Sequence, residues 1–232
     1  MKTNSEIQWD KIHRALAQWR KGLQTEREEA GVEKEPAVTT VAERFRRDPW
    51  AVLVSTILSL RTKDDVTLET SRRLLAKAPG PAQLAALKEG QVARLAYPAG
   101  FYRTKAASLK KIAAILLEQY DGKVPPNMDA LLALPGVGRK TANLVLIEAF
   151  DLPGICVDVH VHRISNRCGW LCTKTPEETE MTLREILPKK YWKGINALLV
   201  LYGQNLCRPV SPFCSRCVIK SHCGQLGVER SR

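Results

Sequence analysis

Lys140 follows two closely spaced glycines in the string Leu134-Pro135-Gly136-Val137-Gly138-Arg139-Lys140-Thr141-Ala142. An amine attacks carbon only while it is neutral, and both desolvation and the field of a helix N-terminus favour that form. Gly136 and Gly138 permit a tight turn and leave no side chain to block an approaching phosphate. The N–H groups of a helix starting just beyond them would form a small anion site. Leu134 and Val137 can anchor such a turn in a core. A device of this kind grips a sugar-phosphate backbone without reading its sequence. Two plainer readings stand beside it: a Gly-rich turn joining two helices, and a lysine that merely contacts phosphate.

The second cluster of reactive types is Cys207, Cys214, Cys217 and Cys223, spaced C-x6-C-x2-C-x5-C within the last thirty residues. Four thiolates on one short loop suit either tetrahedral zinc or a cubane iron–sulfur cluster, and the spacing alone leaves the metal open. Left unligated they would be an oxidation hazard. Cys156, Cys168 and Cys172 stand among apolar neighbours and read as packing residues. Asp158 precedes a helical stretch and reads as its N-cap. A carboxylate there can also stabilise a developing cation and assist proton transfers. His160 and His162, two apart, fall on different helix faces, and neither reads as a metal ligand.

The elements that must position these groups are helical nearly throughout. Ile12, Leu16, Trp19 and Leu23 recur at helical spacing, and Asp48-Pro49 is an N-cap with proline at the first helical position. The WAVLVSTILSL that follows is apolar on almost every side, which predicts a buried central helix. Further helices are expected in DDVTLETSRRLLAKA, TKAASLKKIAAILLEQY, MDALLAL, RKTANLVLIEAF, VDVHVHRISNRCGW, PEETEMTLREILP and KGINALLVLYGQNL. Gly122, Pro125 and Pro126 break the chain, and residues 151–154 read as a hinge or domain crossing. No alternating strand pattern stands out.

At 232 residues the chain can bury one good core or two small ones. The formal net charge of +12 points to a polyanionic partner, nucleic acid above all, although a solvated basic surface accounts for charge alone. No run of about 18 apolar residues suggests a membrane span. The first residues have no apolar export core, so a cytosol-like compartment is expected and a disulfide framework is not.

The LPGVGRKTA string resembles the helix-hairpin-helix of the endonuclease III family. Val157-Asp158-Val159-His160 and the terminal cysteine spacing resemble further motifs of that family, in the same order. The likeness runs from about Pro49 to Cys223 and leaves the first forty or so residues as an extension. It implies an all-α fold of two helical domains flanking a DNA-binding cleft. Residues 43–152 would form a six-helix barrel with the hairpin. Residues 1–42 and 153–232 would make the other domain, with a [4Fe-4S] loop at 207–223.

It also implies a bifunctional DNA glycosylase/AP lyase of base excision repair, acting on oxidised or ring-saturated pyrimidines in double-stranded DNA and on abasic sites. Such an enzyme would work as a cytoplasmic, nucleoid-associated monomer. In that reading Lys140 forms the imine and Asp158 assists. Gly136, Val137, Gly138, Arg139, Arg61, Phe101, Arg103, Lys105 and His160 would meet DNA. Arg61 stands where the family usually has glutamine, a departure bearing on the orphaned base. Phe101 stands where relatives carry an apolar wedge, or else is a core aromatic beside Tyr102. Arg103 and Lys105 read as phosphate contacts or solvated charges. Two other functions compete: a mismatch adenine or thymine glycosylase without lyase chemistry, and a non-catalytic DNA-binding module.

Overall fold

The structure is a computed structural model that describes residues 7–29 and 37–232. In chain order its helices are α1 (Trp9–Glu29), α2 (Ala37–Arg44), α3 (Pro49–Ser59), α4 (Asp64–Lys77), α5 (Pro81–Ala86) and α6 (Glu89–Ala96). Then come α7 (Tyr102–Gln119), α8 (Met128–Leu132), α9 (Arg139–Phe150), α10 (Val159–Arg167), α11 (Pro176–Ile186) and α12 (Trp192–Asn205). No strand occurs among the described residues, as the periodicity predicts. Nor is any helix there long and apolar enough to cross a membrane.

The described chain divides into two compact units, one formed by residues 37–154 and one by residues 7–29 with 155–232. In the first, α3 is the central helix. Every residue from Trp50 to Leu58 is buried, and α2, α4, α7 and α9 pack around it. Its start is set as expected: Pro49 occupies the first turn, and Asp48 Oδ1 accepts from the Ala51 N–H at 2.8 Å. Leu53 is fully buried, and truncating it to alanine would cost about 2–5 kcal/mol through lost transfer energy and the cavity left behind.

Three helices were not expected from the pattern: α2, α5 and α6. Each has only six to eight residues. Val38, Val41 and Ala42 join the core around α3, so residues 37–42 belong with this unit and not with the N-terminal helix. Residues 1–6 and 30–36 of the expected extension lie outside the described residues.

In the second unit, α1 buries Ile12 and Leu16 and packs against α12. Trp9 meets Trp170 edge-on at 5.0 Å, and Trp19 meets Tyr202 at 4.9 Å. α10 packs on both α11 and α12. The break between the units lies at Gly154–Ile155.

Candidate active site and cysteine loop

The hairpin is built as its residues dictate. Asn127 caps α8 by accepting from the Ala130 N–H at 2.9 Å. Leu134 and Val137 are buried and pin the turn to the core around α3. Gly136 takes φ 80°, a conformation that favours glycine. Gly138 is the N-cap of α9, with no side-chain cap, and a Cβ placed on it would meet nothing within 4 Å. Both glycines are exposed and so can approach a phosphate closely. Arg139 and Lys140 are the first two residues of α9, and Lys140 is exposed. Val137, expected among the DNA contacts, buries its side chain and spends its N–H on the Leu134 carbonyl at 3.1 Å. It is an anchor.

Asp158 is the N-cap of α10. Its Oδ1 accepts from the N–H groups of His160 and Val161, both at 2.9 Å, which fixes the carboxylate's orientation. His160 Nδ1 lies 3.1 Å from the Arg163 guanidinium. His162 points to another face, where its Nδ1 meets Thr179 Oγ1 at 2.6 Å, so it is structural. Gly203 on α12 makes room for this arrangement: a Cβ there would fall 2.4 Å from His160 Nδ1 and 2.9 Å from the Arg163 guanidinium.

The four clustered cysteines line one pocket, together with Cys168, Ile164, Tyr202, Leu206, Phe213 and Ile219. Its empty space, counting the open mouth, is about 400 Å³. Among the described residues no three His, Cys, Asp or Glu side chains converge closely enough to hold one metal ion. Donors nonetheless point at the sulfurs: Arg167 to Cys207 at 3.4 Å, Tyr202 O–H to Cys217 at 3.1 Å, and the Gln225 N–H to Cys223 at 3.3 Å. Such donors suit anionic thiolate ligands. Burial pushes the Cys207 and Cys217 thiols up, and burial followed by the Cys217 contact pushes the Tyr202 phenol up.

Two further loops of the hairpin unit carry residues expected to meet DNA. Phe101 is 60% exposed, at φ 57°, which excludes the core reading. The exposed Arg61, at φ 54°, holds its guanidinium 4.8 Å from the centre of the Phe101 ring. Arg103 is exposed beside Tyr102. Lys105 departs from expectation. It is 7% exposed, and its ammonium donates to the carbonyls of Leu58 at 2.8 Å and Leu60 at 2.6 Å and to Thr62 Oγ1 at 2.9 Å. With its three hydrogens so placed it cannot serve as a phosphate contact.

The HhH-GPD superfamily model of base excision DNA repair proteins matches residues 54–189. The chain is 46% identical over 188 residues to endonuclease III of Thermotoga maritima, covering 79% of this chain and 88% of that protein. It belongs to the endonuclease III family.

Two solved members of that family share the fold. A non-covalent endonuclease III–DNA complex superposes with TM-score 0.78 at 30% identity, covering 97% of each chain. A trapped endonuclease III–DNA covalent intermediate gives 0.73 at 33% identity, over 82% of this chain and 93% of that one. The plant and mouse members are longer, and the chain spans 58% and 59% of Arabidopsis thaliana endonuclease III homolog 1 and Mus musculus endonuclease III-like protein 1.

Within this endonuclease III family fold, Cys168 packs in the core as expected. It is buried against the cysteine loop, and the hydrogen bond with Cys223 followed by burial pushes its thiol well up. Sequence reasoning missed Arg163 and Arg167. Arg163 donates to the Cys207 carbonyl at 2.9 Å, and Arg167 to those of Arg208 and Pro209 at 2.8 and 3.0 Å. Only their i, i+4 spacing on one face of α10 hints at a shared target. Cys172, expected to pack, is exposed.

Proposed function

We propose that Lys140 is the nucleophile of a bifunctional DNA glycosylase/AP lyase acting on oxidised or ring-saturated pyrimidines in double-stranded DNA, and on abasic sites. Membership of the endonuclease III family makes the chain a base excision repair enzyme, a DNA glycosylase with AP lyase activity. The observation that carries the residue assignment is an exposed lysine in the first turn of α9, immediately after the phosphate-accessible glycines.

The neutral amine bonds to the sugar C1′ as the N-glycosidic bond breaks and the base departs with a proton. The sugar ring then opens to give an imine on the lysine nitrogen. Removal of a C2′ proton expels the 3′ phosphate and nicks the strand. Asp158, held by its cap bonds, stabilises the cationic sugar and relays protons from the amine. Gly136, Gly138 and Arg139 hold the backbone. Arg61 and Phe101 fill the gap left by the everted nucleotide, since the sugar must leave the stack before attack. His160 and Arg103 are the further DNA contacts of this reading.

Cys207, Cys214, Cys217 and Cys223 would hold a [4Fe-4S] cluster, for which four thiols around one pocket, faced by sulfur-directed donors, are a suitable set. Such a cluster would tie the loop together, and Arg208, Arg216 and Lys220 on it would present positive charge to a phosphate backbone. The enzyme works as a monomer in the cytoplasm, associated with the nucleoid.

Borohydride trapping on duplex DNA containing a saturated pyrimidine tests the assignment. A covalent adduct is expected, absent in Lys140→Ala. Base release without any adduct would replace this reading with a monofunctional glycosylase. For the cofactor, the purified protein should be brown, and Cys217→Ser colourless. Stoichiometric zinc in place of iron and sulfide would refute it.

A further inference from the structure

Lys105 is buried, and its bonds reach the loop that carries the exposed Arg61, while Phe101 stands one turn before it in the chain. The carbonyls of Leu58 and Leu60 belong to the C-terminal end of α3, where helical carbonyls lack partners and the dipole is negative. An ammonium placed there is a cap supplied from α7, 45 residues away from Leu60. Thr62 is the second fastener. Its hydroxyl accepts from Lys105 Nζ at 2.9 Å and from the Gly100 N–H at 3.0 Å, and donates to the Leu60 carbonyl at 3.2 Å. That fills the one-donor, two-acceptor capacity of a hydroxyl.

The two loops also touch at Gly100, where an added Cβ would sit 2.4 Å from the Arg61 carbonyl oxygen. Next to Thr62 and Gly100 in the chain, Arg61 and Phe101 both hold left-handed backbone, which neither residue favours, and the guanidinium lies over the ring. Left-handed Arg and Phe persist only where their surroundings over-determine them. Lys105, Thr62 and Gly100 supply that constraint.

We propose that Lys105 is a positioning residue: its ammonium locks the 60–62 and 99–101 loops together so that Arg61 and Phe101 enter the duplex as one rigid unit. The functional half of this rests on the reading of Arg61 and Phe101 as the gap-filling pair. The locking itself does not. The ammonium never touches DNA, and removing it should release the pair while leaving both side chains in place.

The test uses the full chain with Lys105→Met, which keeps the stem and removes the charge, and Thr62→Val as a second variant should the first not fold. Amide hydrogen exchange without DNA is the first readout. Exchange at 99–102 should quicken at least tenfold in either variant, and unchanged exchange overturns the proposal. The second readout is the ratio of strand nicking on a duplex abasic site to nicking on a single-stranded abasic oligonucleotide, which has no orphan base. That ratio should fall about tenfold, and an equal loss on both substrates makes Lys105 merely structural and overturns the proposal. The pair itself is controlled by Arg61→Ala/Phe101→Ala. If that variant keeps the wild-type ratio while Lys105→Met loosens the loops, the gap-filling reading fails and takes the functional half of the proposal with it.

Discussion

The Arg167 guanidinium donates to the Cys207 sulfur across 3.4 Å, which places the last residue of α10 in contact with the cysteine loop. The same side chain bonds the carbonyls of Arg208 and Pro209, and Arg163, one turn earlier, bonds that of Cys207. The first turn of α10 is the one that Asp158 caps. One nine-residue helix therefore joins the carboxylate proposed for catalysis to the proposed cluster ligands.

Arg167→Met keeps most of the apolar stem but discards these bonds. Hydrogen bonds to a charged group contribute about 1.5–3 kcal/mol each, and losing those of Arg167 together should lower Tm by about 10 °C or more in a chain of this size. Thermal unfolding followed by circular dichroism measures it. An unaltered Tm would mean that the loop is held by other contacts.

Asp158→Asn and Asp158→Ala separate two roles of one side chain. Asparagine caps a helix about as well as aspartate, whereas alanine costs about 1 kcal/mol. Asp158→Asn should therefore unfold at the wild-type temperature yet excise base at least a hundredfold more slowly, given the usual size of proton-transfer assistance. Asp158→Ala should be slow and less stable as well. A fully active Asp158→Asn enzyme would reduce the residue to a cap.

Gly203→Ala places a methyl against His160 and Arg163 in a packed position. Overpacking of this kind costs about 1–3 kcal/mol, readable in a urea titration as a lower midpoint at unchanged slope. A midpoint equal to wild type would show that the two side chains swing away at no cost.

Burial pushes the Lys105 ammonium from 10.5 down to about 8. Between those values the unfolded chain carries a proton that the folded chain has shed, so unfolding takes one up. This group's contribution to stability therefore rises as pH climbs from about 8 to 10.5, and is least favourable and flat below 8. A side-chain NMR titration should give a midpoint near 8, and a midpoint above 10 would show that the bonds to Leu58, Leu60 and Thr62 outweigh the cost of burial.

Features encoded by neighbouring residues are legible in the sequence. Asp48-Pro49 starts α3, Pro135-Gly136 turns the hairpin, and Asp158 caps α10, because each signal and its target lie within a few positions. Other features depend on residues far apart in the chain. Short α2, α5 and α6 are stabilised by packing against α3, α4 and α7, which local periodicity does not report. Lys105 looks like a surface charge until the end of α3 is folded over it. Cys168 looks like filler until Cys223, 55 positions on, is brought against it. The hairpin's turn was visible from its glycines, and Val137, which the sequence offers both as an anchor and as a DNA contact, is buried.

The unit carrying Asp158 and the cysteines takes α1 from one stretch of chain and residues 155–232 from another, with 37–154 between them. During synthesis α1 leaves the ribosome well before its partner α12. At roughly 5–20 residues per second the wait lasts on the order of tens of seconds. Throughout it Ile12 and Leu16 form an apolar stripe with no cover, on a helix that is marginal alone. The contiguous 37–154 segment can close in the meantime. Slowing translation of the last third should therefore raise aggregation of the nascent chain, while refolding of the finished polypeptide from urea should be indifferent to it.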